Sequence, residues 1–229
     1  MTKHWVDLQA SDGHGLGGYV CVPEGEPRAG LVIAQEVFGV NPHIQSVVSS
    51  YAQEGYLAIA PRFFDRMEKD IQLGYERPDV EKGLAYTKRI DWEQTRLDVE
   101  AAVKYLESQM QGKPLGMVGY CWGGSSTWRA AAGVPGLSAA VCYYGGAIPS
   151  LSQLKPQCPV LLHWGLEDSI IPESSSRAFA AGHPGVESHF YPADHGFNCD
   201  QRASYHEPSA RLARQRTLAF IEQHLQIDK

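Results

Sequence analysis

The chain has 229 residues, of which 43% are hydrophobic and 20% charged, a composition typical of a folded globular protein. Its 26 acidic and 20 basic residues give a net charge of −6, which argues against a surface that attracts nucleic acid. The N-terminal residues lack the apolar core of a secretory signal. The most apolar stretch, residues 137–148, is too short and too rich in glycine to span a bilayer.

The five cysteines are widely spaced, and none belongs to a C-x-x-C pair. An odd number of scattered cysteines argues against a disulfide framework and against a structural zinc site. Reduced thiols and a cytoplasmic location are therefore expected.

Apolar runs rich in β-branched residues alternate with segments of helical periodicity along the chain. Strands are predicted at residues 5–10, 16–23, 30–36, 56–61, 114–120, 137–144, 158–164 and 187–192. Helices are predicted at residues 43–54, 91–110, 125–132 and 172–181, and in a C-terminal segment whose inner face carries Leu218, Ile221 and Leu225. This alternation favours a mostly parallel sheet with helices on both faces, in one α/β domain over residues 1–229. Residues 62–90 show no clear period and are predicted only as a surface excursion beside a site.

The segment GYCWGG, residues 119–124, joins a predicted strand to a predicted helix. Glycines around a single residue are typical of a sharp strand-to-helix turn, because side chains at the flanking positions would collide. Such a turn exposes the central residue at a helix N-terminus, where the helix dipole favours a thiolate. Cys121 is therefore the predicted nucleophile, and the alternative is a structural cysteine buried at a glycine turn.

An acid and a histidine follow later strands of the predicted sheet. Asp168 and His195 come after the strands at 158–164 and 187–192. Because ligands bind beyond the carboxyl ends of parallel strands, we expect both loops to meet that of Cys121. The order nucleophile, acid, histidine matches that of α/β-hydrolases. By position alone Glu167 is a competing acid, and Asp168 could equally cap a turn.

The loop after the strand at 30–36 offers further candidates. The backbone N–H groups of Val37 and Trp122 are predicted to form an oxyanion hole. Glu36 is expected to project into the site beside Cys121, although an ordinary loop glutamate fits the same pattern.

The sequence resembles the dienelactone hydrolase family in four segments, which are QEVFGVN at 35–41, VGYCWGG at 118–124, GLEDSIIP at 165–172 and ADHGF at 193–197. The resemblance runs from about residue 16 to the C-terminal helix. It implies an α/β-hydrolase fold with a mostly parallel sheet of seven or eight strands and no large cap. It also implies a Cys121–His195–Asp168 triad, enol-lactone substrates from chlorocatechol breakdown, and a Glu36 that helps to deprotonate Cys121 when substrate arrives.

The sequence departs from the family at the two arginines that hold the substrate carboxylate. The residue four positions after His195 is Cys199 rather than arginine, and Arg202 lies three positions further on. The other family arginine lies in the variable middle segment, where the sequence does not decide between Arg62, Arg66 and Arg77. A different carbonyl substrate is therefore an open alternative, and Cys199 itself is more typical of a loop cysteine than of a second reactive thiol.

These residues together predict a hydrolase that cleaves an ester or lactone through a thioester on Cys121, with no metal or organic cofactor. The candidate substrate-binding residues are Arg202, Phe38 and Tyr144. The indole of Trp122 either walls the pocket or packs under the following helix.

Two other functions are compatible with these residues. One is a general carboxylesterase that uses Ser125 or Ser126, and the other is a hydrolase-fold protein that only binds a small carbonyl ligand or responds to redox state. The expected partner is a small-molecule substrate, with no nucleic acid or membrane partner. The expected state is a monomer or a small homo-oligomer.

Overall fold

The computed structural model describes residues 1–225, in which eight strands form one sheet with helices packed against it. The strands are β1 (Thr2–Gln9), β2 (Gly15–Val22), β3 (Gly30–Ala34), β4 (Leu57–Pro61), β5 (Leu115–Tyr120), β6 (Leu137–Tyr143), β7 (Val160–Gly165) and β8 (Glu187–Tyr191). The helices are α1 (Pro42–Gln53), α2 (Arg77–Thr87), α3 (Trp92–Met110), α4 (Trp122–Gly133), α5 (Glu173–Gly182) and α6 (Glu207–His224). The last four residues of the predicted domain, 226–229, lie outside the described residues.

The strands run in the order β1-β2-β4-β3-β5-β6-β7-β8. β1 and β2 pair antiparallel, β2 pairs antiparallel with β4, and every pair from β4 to β8 is parallel. The carboxyl ends of β3, β5, β7 and β8 therefore meet at one edge of the sheet, where ligand sites of open parallel sheets lie.

Alternating residues of β3 belong to two separate hydrophobic cores. Leu31 and Ile33 pack in the core that also contains residues of α1 and α6, whereas Val32 and Ala34 pack in the core with residues of α3. Because successive side chains of a strand point to opposite faces, both faces of the sheet are covered. This arrangement explains why the strand reads as a continuous apolar run, and it confirms the predicted fold class.

The elements differ from the predicted ones in two places near the site. Helix α4 begins at Trp122, directly after Cys121, and not at residue 125. Helix α2 occupies part of the unassigned segment 62–90, and it buries only Gly83 and Tyr86. So narrow a buried face gives no helical period in the sequence. No helix within residues 1–225 is long and apolar enough to cross a membrane.

Candidate active site

Cys121 lies at a sharp turn between β5 and α4. Its backbone has φ 54° and ψ −117°, a left-handed conformation that costs a non-glycine residue roughly 1–3 kcal/mol. The neighbouring glycines leave no room for side chains, because a Cβ at Gly119 would meet the carbonyl of Gly123, and one at Gly123 would meet the carbonyls of Ala34 and Gln35. The close packing of this turn holds Cys121 in its strained conformation at the first turn of a helix.

Two short contacts link Cys121, His195 and Asp168 in a row. The Nε2 atom of His195 lies 3.1 Å from the Sγ atom of Cys121, and its Nδ1 atom lies 2.9 Å from the Oδ2 atom of Asp168. The other oxygen of Asp168 accepts hydrogen bonds of 2.8 Å from the backbone N–H groups of Ile170 and Ile171. The carboxylate is therefore fixed in orientation, and it is Asp168, not the competing acid Glu167, that contacts the histidine.

The charge balance of this row favours a protonated imidazole. Burial alone would lower the pKa of His195, but the negative charge of Cys121 and the hydrogen bond to Asp168 raise it to about 10. When Cys121 is a thiolate, the ring therefore keeps both protons at neutral pH. A cation then lies against the sulfur, an environment that favours the nucleophilic thiolate form of a cysteine.

Asp194 joins the loop that carries Asp168 to the loop that carries His195. Its Oδ1 atom accepts hydrogen bonds from the backbone N–H groups of Ser169, at 2.8 Å, and of His195, at 2.6 Å. Asp194 was not among the site residues predicted from the sequence. Its contacts span two loops and leave no pattern in the sequence beyond its position next to the histidine.

The two predicted oxyanion-hole residues lie beside the nucleophile. Val37 and Trp122 line the same cavity as Cys121 and His195. Trp122 is the first residue of α4, where helical N–H groups have no partner within the helix. Among residues 1–225, neither of the two N–H groups donates to an acceptor. Both donors are therefore available to a developing oxyanion.

Glu36 lies deeper than the sequence analysis expected. It is 1% exposed and does not line the cavity, and within the described residues it makes no hydrogen bond to Cys121. Its Oε1 atom instead accepts a 3.2 Å hydrogen bond from Nη1 of Arg202. The reason is electrostatic, since a buried carboxylate is stable only when paired, and Arg202 supplies the charge.

A cavity of about 440 Å³ opens at Cys121 and His195. This volume falls within the range of about 300–1,000 Å³ typical of small-molecule sites. Apolar side chains form much of its wall, among them Leu84 of α2, Trp92 of α3 and Trp122 of α4. The Trp122 indole lines this cavity and also packs on Phe63 and Phe64, at ring-centroid distances of 5.5 and 5.9 Å.

The serines that follow the elbow are occupied in other contacts. Ser125 Oγ accepts a hydrogen bond from the backbone N–H of Ala147, and Ser126 Oγ donates one to the carbonyl of Trp122. Within residues 1–225, no histidine contacts either hydroxyl. A hydroxyl without a base is a weak nucleophile, so the geometry favours the thiol.

Comparison with known proteins decides the family. The model of the dienelactone hydrolase family matches residues 16–225. The chain belongs to the dienelactone hydrolase family. It is therefore a hydrolase that acts on ester or lactone bonds, as the sequence analysis predicted.

Individual relatives cover nearly the whole of this hydrolase. It is 32% identical to the carboxymethylenebutenolidase of Pseudomonas putida over 230 residues, which cover 96% of this chain and 97% of the relative. It is 32% identical to a candidate carboxymethylenebutenolidase of Synechocystis over 228 residues, 92% of each chain. The crystal structure of a candidate dienelactone hydrolase from Klebsiella pneumoniae superposes with a TM-score of 0.81 and 31% identity, covering 97% of this chain and 100% of that one.

Three predicted substrate contacts of this hydrolase, Arg202, Phe38 and Tyr144, lie outside the cavity lining. Arg202 is held by Glu36, and its guanidinium lies 5.7 Å from the ring centre of Phe38, which is 2% exposed. Tyr144 is fully buried, and its ring packs 5.1 Å from that of His195. Through Glu36 and His195, these side chains contact the site without lining its cavity.

The arginines of the middle segment also lie away from the cavity. Arg62 is paired with Asp70, Arg66 with Asp98 and Asp12, and the exposed Arg77 with Glu81 on the surface of α2. None of the three is free to face the cavity.

The arginine that lines the cavity is Arg129, which was not among the residues predicted from the sequence. It lies on α4, two turns after Cys121, with its guanidinium 5.4 Å from the ring centre of Trp92. Among residues 1–225 it has no acidic partner within ion-pair distance. Its spacing of seven residues from Trp122, which also lines the cavity, places both side chains on one side of α4, a signal that the sequence did contain.

Proposed function

We propose that this hydrolase opens an enol-lactone of the dienelactone type through a Cys121–His195–Asp168 triad and a thioester acyl-enzyme. The observation that carries the proposal is the unbroken row of contacts from Sγ to the imidazole to the carboxylate, with distances of 3.1 and 2.9 Å. Such a row is the geometry that nucleophilic catalysis needs. The similarity to a carboxymethylenebutenolidase of Pseudomonas putida supports the lactone substrate.

In the first half-reaction, Cys121 Sγ attacks the lactone carbonyl carbon and forms a carbon–sulfur bond. The negative charge that develops on the carbonyl oxygen is met by the N–H groups of Val37 and Trp122, each such donor being worth about 10²–10³ in rate. The bond to the ring oxygen then breaks, and His195 gives its proton to that oxygen. The opened product stays attached as a thioester.

In the second half-reaction, His195 takes a proton from water, whose oxygen attacks the thioester carbonyl. The carbon–sulfur bond then breaks, which releases the thiolate and a carboxylic acid that loses its proton to solvent. Asp168 keeps the imidazole in the required orientation in both steps. Because a thiolate is also a good leaving group, activated esters and lactones are better substrates than amides.

Glu36 and Arg202 are proposed to assist the thiol, as the family resemblance implies. Glu36 is held by Arg202 through Oε1, while Oε2 has no hydrogen-bond partner among residues 1–225. A carboxylate with one free oxygen next to the site is able to take a proton after a side-chain rotation. We assign Glu36 this role, with Arg202 as the residue that holds it back in the absence of substrate.

Arg129 is proposed to recognise an anionic group on the substrate. It is the arginine in the cavity lining, and within the described residues no carboxylate pairs with it. A guanidinium without a partner is well suited to a carboxylate. Through this residue the enzyme gains the anion recognition that the family places on other arginines, which fits a role in the breakdown of aromatic compounds.

The decisive experiment assays an enol-lactone bearing a carboxylate and a set of simple aryl esters with wild type, Cys121→Ser and Cys121→Ala. We expect selective turnover of the lactone, a loss of about 10⁴-fold or more in kcat for Cys121→Ala, and inactivation by thiol alkylation. Full activity of Cys121→Ala would refute the triad. Broad ester turnover with no preference for the lactone would instead favour the general carboxylesterase.

The proposal extends to the domain organisation, the cellular location and the oligomeric state of the enzyme. We propose that the chain forms one domain and acts in the cytoplasm as a monomer or small homo-oligomer. This is the simplest arrangement for a hydrolase of a small metabolite. Size-exclusion chromatography with light scattering tests the oligomeric state directly.

A further inference from the structure

Behind the candidate active site, three buried side chains from separate loops and a helix converge. Their potential ligand atoms, on Glu36, His43 and Cys199, all lie within 4.8 Å of one another. The three residues are 1%, 3% and 0% exposed. His43 belongs to α1, whereas Glu36 follows β3 and Cys199 follows β8, so no spacing in the sequence reveals the cluster.

Two polar atoms in this cluster lack partners. Within residues 1–225, the Oε2 atom of Glu36 and the Nε2 atom of His43 are buried and make no hydrogen bond. An unsatisfied buried polar group destabilises a fold, so two such atoms in one cluster point to a ligand that both of them contact.

Each of the three side chains also has an outer partner. The Nδ1 atom of His43 lies 3.0 Å from Oδ1 of Asp200, which fixes the ring proton on Nδ1 and leaves the Nε2 lone pair free. The other oxygen of Glu36 is held by the ion pair described above, and Cys199 Sγ lies 3.3 Å from the hydroxyl of Tyr75. Metal-binding side chains are commonly oriented by such outer partners.

We propose that Glu36, His43 and Cys199 bind one divalent ion of the zinc type through Oε2, Nε2 and Sγ. A carboxylate, an imidazole and a thiolate are a donor set that suits zinc, with a water molecule as fourth ligand. The thiolate and the carboxylate balance the charge of the ion, while Arg202 and Asp200 cancel each other. The thiol proton leaves to solvent on binding.

The geometry needs only a small adjustment. Bond lengths of about 2.0–2.3 Å to zinc place tetrahedral donor atoms about 3.3–3.8 Å apart. The ligand atoms of the cluster lie at most 4.8 Å apart, so side-chain rotations that move them by about 1 Å bring them to this spacing. A surface depression of about 390 Å³ is lined by His43 and Asp200, so the outer edge of the cluster lies close to solvent.

An ion at this site would engage the one oxygen of Glu36 that is free to move toward Cys121. Zinc is then expected to inhibit turnover. This consequence rests on the proposed function, whereas binding of the ion does not, so the two are measured separately.

The test is a titration of the metal-free protein with Co²⁺, followed by displacement with Zn²⁺. Wild type should bind one Co²⁺ per chain and show the charge-transfer absorption of a cobalt–thiolate bond. Cys199→Ser should lose that absorption, and His43→Gln should weaken binding at least tenfold. Because Asp200 only orients His43 and is largely exposed, Asp200→Asn should fold normally and weaken binding by about 10–100-fold.

Two thiol variants serve as controls. Cys121→Ser should keep the absorption, which separates the proposed cluster from the Cys121–His195 pair, and Cys158→Ser should bind as wild type does. Circular dichroism confirms that each variant is folded. Absence of saturable Co²⁺ binding overturns the proposal, and so does absorption that depends on Cys121 but survives in both Cys199→Ser and His43→Gln.

Discussion

The imidazole of His195 lies 3.1 Å from the sulfur of Cys121, close enough for the charge of each group to affect the ionisation of the other. The charge of a Cys121 thiolate raises the pKa of His195, and a protonated imidazole in turn stabilises the thiolate. This mutual dependence makes the pair measurable through either partner.

Replacement of Cys121 by alanine should lower the pKa of His195, because the charge of Cys121 is the largest of the influences that raise it. NMR titration of the histidine ring resonances measures the change. Asp168→Asn removes a smaller influence and should give a smaller decrease. A His195 pKa that is equal in wild type and Cys121→Ala would contradict the pairing.

The same pair should make stability depend on pH. The raised pKa of His195 means that its contribution to the free energy of unfolding is complete below its unfolded value of 6.5 and is lost as the pH rises toward about 10. Urea unfolding at pH 6 and at pH 9 measures this loss. The difference between the two pH values should shrink in Cys121→Ala, in which the pair is absent.

Arg129→Gln should raise KM for an ester that carries a carboxylate by about 10–100-fold, since a hydrogen bond to a charged group contributes about 1.5–3 kcal/mol. A neutral ester of the same size should be unaffected. Steady-state kinetics on the two esters measures the difference. Arg77→Gln is the matched control, because Arg77 is exposed, paired with Glu81 and outside the cavity. An equal effect on both esters would rule out anion recognition.

Asp194→Ala should reduce kcat by about 10–100-fold with little change in KM, because misplacement of a catalytic group by about 1 Å has an effect of this size. Asp194→Asn keeps an oxygen that accepts both backbone hydrogen bonds, and it should restore most of the rate. If both variants lose the same activity, the charge of Asp194 matters more than its positioning role.

Gly123→Ala should destabilise the fold by about 1–3 kcal/mol, because the added Cβ would meet the carbonyls of Ala34 and Gln35. Gly133→Ala, in the same helix, is the control. A Cβ there has no atom within 4 Å, so this change should be neutral or stabilise the fold by up to about 1 kcal/mol. Thermal unfolding of both variants measures the contrast.

Much of the fold was predictable because buried parallel strands appear in the sequence as short apolar runs. Most helices also have apolar residues at helical spacing along one side. The order of Cys121, Asp168 and His195 was readable because each directly follows a strand of one parallel sheet. Helix α2 was not predicted, since it packs through a glycine and a tyrosine rather than through an apolar stripe.

The surroundings of the site were harder to predict because they depend on side-chain direction. Nothing in the loop sequences indicates that Arg202 turns toward Glu36, or that Tyr144 is enclosed behind His195. The convergence of His43 with Cys199 requires the packing of α1 against the loop after β8, which no local pattern encodes.

Because Cys121 has a left-handed backbone, thermal stability and catalytic activity favour different residues at this position. Glycine would relax this backbone without strain, yet it would remove the nucleophile. Substitutions that raise thermal stability are therefore expected elsewhere in the chain. Relatives adapted to high temperature should keep this unfavourable turn and carry stabilising substitutions in the surrounding structure.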